Sequence, residues 1–419
     1  METGNQRIVK SVALEEKQFQ VKSCLEGSGK RGKMLNQKDQ EWLEEALLKF
    51  DNKMEWLSEK SREKIPAMAV DGVHDDRSDL SKKWNPDDGL FWWTNGFWGG
   101  MLWMMYVKTG KQKYAEIAEV SEKKLDACFE GFYGLHHDVG FMWMPTAVAD
   151  WKLTKNPDSR RRALHAANLL MGRFNPAGNF IRAWNDIPGS NDDTRGWAII
   201  DSMFNITLLY WAYEETKDSR FYHAAVKHAD KLMEHFIRPD GSVRHIVEFD
   251  PADGSFVRDY GGQGYAQGSS WTRGQTWALY GFVLSYVHTK NKAYLDAAKR
   301  VAHYFIANIP EDGLIPVDFR QPKEPLYYDD TAAAVAACGL IEIAKHVPEL
   351  EKDIYIRAAV KMLRALDEKH CDWSEKSDCF LTHCSGAYHS PNHNHTLVYA
   401  DSYFLEALLK LSGNVFLLW

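Results

Sequence analysis

The chain is short of the features that mark several large protein classes. Its 419 residues contain only six cysteines (Cys24, Cys128, Cys338, Cys371, Cys379 and Cys384), with no Cys-x-x-Cys pair and no regular framework. That argues against a disulfide scaffold and a clustered-thiolate metal site, and it fits a reducing, cytoplasmic setting. No stretch approaches eighteen uninterrupted apolar residues, so no membrane-spanning helix is expected. The first twenty residues, METGNQRIVKSVALEEKQFQ, hold no apolar core of the kind a secretory signal needs. There is no basic run either, and the formal net charge is −7. Nucleic acid is therefore not an expected partner, although a local basic pocket can still hold one anionic group.

What the chain has in quantity is aromatic side chains: 16 Trp, 18 Tyr and 20 Phe. Most must be core, as large helical proteins require. Tryptophans set beside Gly and Asp, as in Phe91-Trp92-Trp93-Thr94-Asn95-Gly96-Phe97-Trp98, also suit stacking on the apolar faces of sugar rings.

Residues 1–36 are polar and lysine-rich and read as an extension. From 37 to 419 two kinds of segment alternate, and a single domain accounts for them. One kind is apolar nearly all round and rich in small residues: 96–111, 138–156, 201–218, 273–291, 330–349 and 401–414. Such segments predict helices enclosed on most sides. Four close on a Thr-Gly-Lys, Thr-Lys-Asn or Thr-Lys-Asp turn, a helix-stop signal. The other kind is amphipathic: 38–62, 113–129, 159–174, 220–236, 293–309 and 353–370. Six hairpins of inner and outer helix predict an all-α fold, an (α/α)6 barrel. A superhelical solenoid is the competing architecture, but no polar capping repeat stands at either end.

The long connections all lead into the inner helices, so one rim should carry the function. The inner helices open near Asn95, Asp138, Asp201, Arg273, Asp330 and Asp401. Taken singly, each aspartate reads as a helix N-cap. Taken together, a closed ring brings them around one cavity that would also hold Trp93, Trp98, Trp184 and Trp277. Paired carboxylates in a cavity suit glycosidic chemistry, where one must be protonated while another stays charged. Asp201 follows Trp197-Ala198-Ile199-Ile200, an apolar approach that should raise its pKa. Asp138 follows His136 and His137, whose imidazoles can hold or orient it. Arg273 has the fork to grip a carboxylate, or to serve as a salt-bridged structural arginine.

Six stretches extend this reading: WTNGFWGGMLW (93–103), LHHDVGFMW (135–143), IIDSMFN (199–205), SSWTRGQTWALYGF (269–282), DTAAAVAACGLIEIA (330–344) and DSYFLEALLKL (401–411). In order and spacing they resemble glycoside hydrolase family 88, the unsaturated glucuronyl hydrolases. The resemblance implies a six-hairpin barrel and a substrate carrying a 4,5-unsaturated uronic acid at the non-reducing end of a lyase-made oligosaccharide. The implied reaction is hydration of the C4=C5 enol ether, followed by collapse that frees the neighbouring sugar. It places the acid/base on Asp201 and the second essential carboxylate on Asp138. It also places Trp93, His137, Trp184, His245, Gln263, Arg273 and Trp277 around the unsaturated sugar, with neither metal nor organic cofactor. A monomer or homodimer is expected.

The sequence also departs from that family. Trp92 stands where relatives often carry an acid, and Asp329 where they often carry Arg. The loop 386–395 lacks the Ser-x-Ser-x-Lys pattern linked in some relatives to sulfate on the next sugar. Its His389, His393 and His395 read as substrate contacts or surface histidines rather than a metal site. Three other functions share parts of this pattern. An unsaturated rhamnogalacturonyl hydrolase would share the barrel and the chemistry. A sugar 2-epimerase would share the barrel but rely on histidine bases, and a sugar-binding protein would bind without turnover.

Overall fold

The computed structural model describes residues 35–85, 88–186, 192–414 and 416–419. The predicted extension lies outside the described residues except for Leu35 and Asn36, and so does Cys24. All five described cysteines are unpaired. No helix among the described residues is long and apolar enough to cross a membrane.

The protein is an (α/α)6 barrel. The outer helices are α1 (Gln37–Lys60), α3 (Gln112–Lys124), α6 (Pro157–Met171), α9 (Ser219–Phe236), α11 (Lys292–Ala307) and α13 (Glu349–Lys369). Four inner helices are continuous: α2 (Phe97–Thr109), α10 (Thr272–Thr289), α12 (Asp330–His346) and α14 (Val398–Leu411). The second is broken into α4 (Val139–Trp143), a π turn (Met144–Val148) and α5 (Ala149–Thr154). The third is broken into α7 (Ser202–Asn205) and α8 (Thr207–Thr216). Each inner segment touches the next around the ring, and α14 closes it against α2.

Local chemistry explains the hairpins. The predicted stop turns carry a left-handed residue at Gly110, Lys155, Lys217 and Lys290. The next residue turns the chain outward, and in three cases it caps the outer helix. Asn156, Asp218 and Asn291 accept from the N–H groups of Asp158, Arg220 and Ala293. Each such cap stabilises its helix by about 1 kcal/mol. The π turn follows from Pro145, which has no N–H to give to a regular helix. Gly100 on α2 faces it, and a Cβ there would sit 2.6 Å from Pro145 Cβ, so only glycine lets the two segments approach.

The rim connections contain short strands that the sequence reading took as loops. β1 (Ala69–Val70) pairs with β2 (Val73–His74), and β3 (Phe174–Asn175) with β4 (Phe180–Ile181). β5 (Trp197–Ile199), β6 (Ile246–Phe249) and β7 (Phe256–Tyr260) form an antiparallel sheet in that order. These runs are too short to show alternation against the helical background.

Aromatic rings fill the barrel axis. Trp419 stacks on Tyr403 at 5.8 Å and meets Phe204 edge-on at 5.1 Å, while Trp277 lies 5.4 Å from Phe141. Beneath them is a buried charged group: Lys410 Nζ sits 2.6 Å from Glu342, and Glu406 accepts from Trp419 Nε1 at 3.0 Å and from the Tyr280 hydroxyl.

Candidate active site

β5 delivers Asp201 to the rim. The strand ends at Ile199, Ile200 N–H donates to His245 O, and Asp201 opens α7. A second run of backbone bonds, His137 N–H to Ala183 O and Ala183 N–H to Trp197 O, ties the Asp138 turn to the same strand. Sheet and loops together fix the two carboxylates side by side.

The N-cap reading fails for both of these aspartates, because neither carboxylate caps its own helix. Both reach one nitrogen instead: His137 Nε2 stands 3.5 Å from Asp138 Oδ2 and 3.6 Å from Asp201 Oδ1. Asp138 is further held by Asn205 Nδ2 at 3.0 Å, with His136 Nδ1 at 3.1 Å. Asn205 is locked in turn, since its Oδ1 accepts Phe141 N–H at 2.9 Å. Gly140 allows this approach, for a Cβ there would lie 2.4 Å from Asn205 Cα. Asp201 Oδ1 has no hydrogen-bond partner.

The two carboxyls therefore titrate apart. Burial, then the charge of Asp138, pushes Asp201 well above the usual carboxylate range; the Ser202 N–H and Arg273 only partly offset this. Burial also works against an ionised Asp138, but the His137 and His136 imidazoles and the Asn205 amide outweigh it and hold its pKa low. Burial brings His137 down to about 4, so that ring is neutral at pH 7. A protonated acid beside a fixed carboxylate is what proton delivery to a sugar requires.

The remaining rim acids have structural duties. Asp330 accepts from His370 Nδ1 at 2.6 Å and His383 N at 2.9 Å, and Asp401 from Phe380 N and Leu381 N. They hold the last loop and do not join the Asp138–Asp201 pair, and Trp98 is core, edge-on to His74 at 5.3 Å. The expected ring of carboxylates is thus two acids.

The aromatic and polar positions have the following neighbours. Trp93 is half-buried, 5.2 Å from Phe141 and 4.9 Å from Tyr399, while Trp277 is fully buried below. Trp184 lies 5.9 Å from Trp197 on the strand side. His245 accepts Gln263 N–H on Nδ1 at 3.0 Å and leaves Nε2 unpartnered. Its pKa falls to about 3 through burial and the Arg273 charge. Gln263 Nε2 donates to Gly386 O at 2.7 Å.

Arg273 is more committed than the sequence suggested. Its Nη1 donates to Asp329 Oδ2 at 3.0 Å and Ser385 O at 2.7 Å, and Nη2 to Gly386 O at 2.6 Å. The fork grips a carboxylate of the protein and pins the histidine-rich loop. In that loop His389 meets Tyr265 O at 2.8 Å and His393 stacks on Tyr327 at 3.6 Å, so the two rings have separate partners. Two other groups bring three metal-ligating side chains together: His136, His137 and Asp138, and Asp330, His370 and His383. In the second the imidazoles stack at 3.9 Å, which runs their in-plane lone pairs side by side rather than toward one ion. In the first, Asp138 is already committed to Asn205.

Sequence reasoning passed over Asn205 and the Asp329–Arg273 pair. Asn205 sits four residues after Asp201, one turn along the helical path, and that spacing was the available signal.

Comparison with known proteins identifies the family. A family model described as Glycosyl Hydrolase Family 88 matches residues 57–309. An unsaturated glucuronyl hydrolase of Bacillus sp. (strain GL1) is 38% identical over 352 residues, 82% of this chain and 92% of that protein. An unsaturated chondroitin disaccharide hydrolase of Streptococcus pyogenes serotype M1 is 36% identical over 76% of this chain and 80% of its own length. The crystal structure of the unsaturated glucuronyl hydrolase of Streptococcus agalactiae superposes with a TM-score of 0.81 at 29% identity, over 93% of this chain and 95% of that one.

Proposed function

From the premise that this chain belongs to glycosyl hydrolase family 88 and releases unsaturated glucuronic acid from glycosaminoglycan oligosaccharides, we propose that Asp201 is the acid/base and Asp138 its charged partner. The observation that carries the assignment is the shared approach of both carboxylates to His137 Nε2, one with its pKa pushed up and the other held down.

The neutral Asp201 carboxyl gives its proton to C4 of the enol ether, and positive charge develops across C5 and the ring oxygen. Water adds at C5 and returns a proton to the Asp201 carboxylate. The C5 hemiketal opens to a ketone, which turns C1 into a hemiacetal. That hemiacetal collapses to an aldehyde and releases the neighbouring sugar as an alcohol. Asp138 stays ionised throughout, which keeps Asp201 protonated in the resting state and stabilises the cationic transition state. Trp93 and Trp184 supply apolar faces for the planar unsaturated ring, while Trp277, fully buried, supports the floor beneath it. His137, His245, Gln263 and Arg273 supply polar groups around its hydroxyls and carboxylate. A cytoplasmic enzyme, monomeric or dimeric, acting on imported lyase products fits this chemistry.

The direct test follows the ultraviolet absorbance of the enol ether with unsaturated disaccharides from hyaluronan, chondroitin, heparin and pectin. Absorbance should fall with at least one glycosaminoglycan product and persist with Asp201→Asn. If His245→Ala abolished turnover while Asp201→Asn kept it, a histidine-based epimerisation would replace this mechanism. Persistence on every substrate would end the hydration reading.

A further inference from the structure

Arg273, the cation assigned to the substrate uronate, is already paired. Arg273 is 2% exposed, and Asp329, the N-cap residue of α12, is fully buried against it. From residue 377 to residue 409 the chain carries no lysine or arginine, so the loop over this end adds no second cation. One carboxylate oxygen of Asp329 holds Arg273 at 3.0 Å, and the Ser385 N–H and Thr331 hydroxyl stand beside the same carboxyl.

We propose that Asp329 is a specificity-determining residue of this subsite: its carboxylate occupies the Arg273 guanidinium in the free enzyme, and an entering substrate carboxylate takes over that guanidinium by loading Asp329 with a proton from solvent. The proposal rests on the assignment of Arg273 to the substrate uronate.

The charges around Asp329 leave it as the group that takes the proton. Arg273 faces it from α10. On its own helix, Asp330 is held by His370 and the His383 backbone. Tyr399 on α14 and Cys384 in the last loop have their pKa values pushed up by burial and stay neutral near pH 7. Around Arg273, burial pulls His245 and His395 down and pushes Asp201 up, and Asp201→Asn removes that carboxyl from the measurement below. Asp329 itself is raised to about 6, by burial first, with Arg273 opposing. A second carboxylate beside the same guanidinium raises it further, since like charges sharing one site cannot both stay ionised cheaply. The sign follows: binding takes up a proton, so affinity weakens as pH rises above about 6, by up to about tenfold per pH unit.

Asp329→Asn separates this from a structural role. Its amide oxygen still accepts from Arg273, and its nitrogen can donate to the Thr331 hydroxyl beside it. KM for the unsaturated chondroitin disaccharide should rise in the wild type by about tenfold per unit between about pH 6.5 and about pH 8, and stay flat in Asp329→Asn. At about pH 7.5 the variant should bind about tenfold more tightly, whereas a lost structural contact would weaken binding. Calorimetry of the same disaccharide with Asp201→Asn, in buffers of different ionisation enthalpy, should register about one proton taken up at about pH 7.5. This measurement decides the matter even if Asp329→Asn fails to fold. A wild-type KM independent of pH, a raised KM in Asp329→Asn, or no proton uptake would overturn the proposal. Absence of any wild-type turnover would instead overturn the function it rests on.

Discussion

Replacing Asp138 by Asn removes the negative charge that keeps the proton on Asp201 while preserving shape, and the structure sets the size of the effect. Both carboxylates lie within 3.6 Å of His137 Nε2, so they are at most about 7 Å apart. At that separation, with an effective dielectric constant of about 20, a unit charge contributes about 2 kcal/mol, or between about one and two pH units. As the proposed acid, Asp201 acts when protonated, so activity should hold below its pKa and fade above it. Losing the neighbouring charge lowers that pKa and moves the alkaline limb of kcat down by the same interval. His137, already neutral, does not charge to compensate. The assay is initial-rate loss of enol-ether absorbance from about pH 4.5 to about pH 8.5 at saturating substrate. An alkaline limb that stays put, or moves to higher pH, would refute the electrostatic link whatever happens to the maximal rate.

Three further outcomes follow from the packing. Gly140→Ala forces a Cβ to within 2.4 Å of Asn205 Cα and should cost about 2–3 kcal/mol of stability in chemical denaturation, with kcat falling because Asn205 no longer orients Asp138. Lys410→Met leaves Glu342 and Glu406 buried without their shared cation and should cost about 3–5 kcal/mol, readable as a drop in melting temperature. Trp93→Ala removes a half-buried stacking face and should raise KM about tenfold, about 1.4 kcal/mol, with a smaller change in kcat.

The barrel was legible because an enclosed helix and an outer helix carry different surfaces. Alternation of all-round apolar segments with amphipathic ones located all twelve within a few residues, and the Thr-Lys-Asn turns proved to be left-handed stops followed by caps. The break at Met144–Val148 was not legible, since its cause is one missing N–H in an otherwise helical pattern. The two central acids were found from their neighbours: an apolar approach for Asp201 and two imidazoles for Asp138. The ring argument also placed Asp330 and Asp401 around the cavity, and their structural duties were not legible, because which backbone N–H a carboxylate accepts depends on where the 380–383 loop returns. Arg273 shows the limit most clearly. The sequence showed a fork suited to a carboxylate, but the one it grips lies 56 positions away and meets it only once α10 and α12 stand side by side.

The column of rings along the barrel axis bears on how a polymer is handled. With Trp277, Phe204, Tyr403 and Trp419 packed against one another along it, the axis is plugged and no chain can thread through it. With Asp201 as the proposed acid at this closed end, a terminal residue is the part of the chain that enters, and the freed sugar leaves by the mouth it entered. The remaining oligosaccharide has to let go before the next end can dock. The enzyme is thereby committed to one cut per encounter.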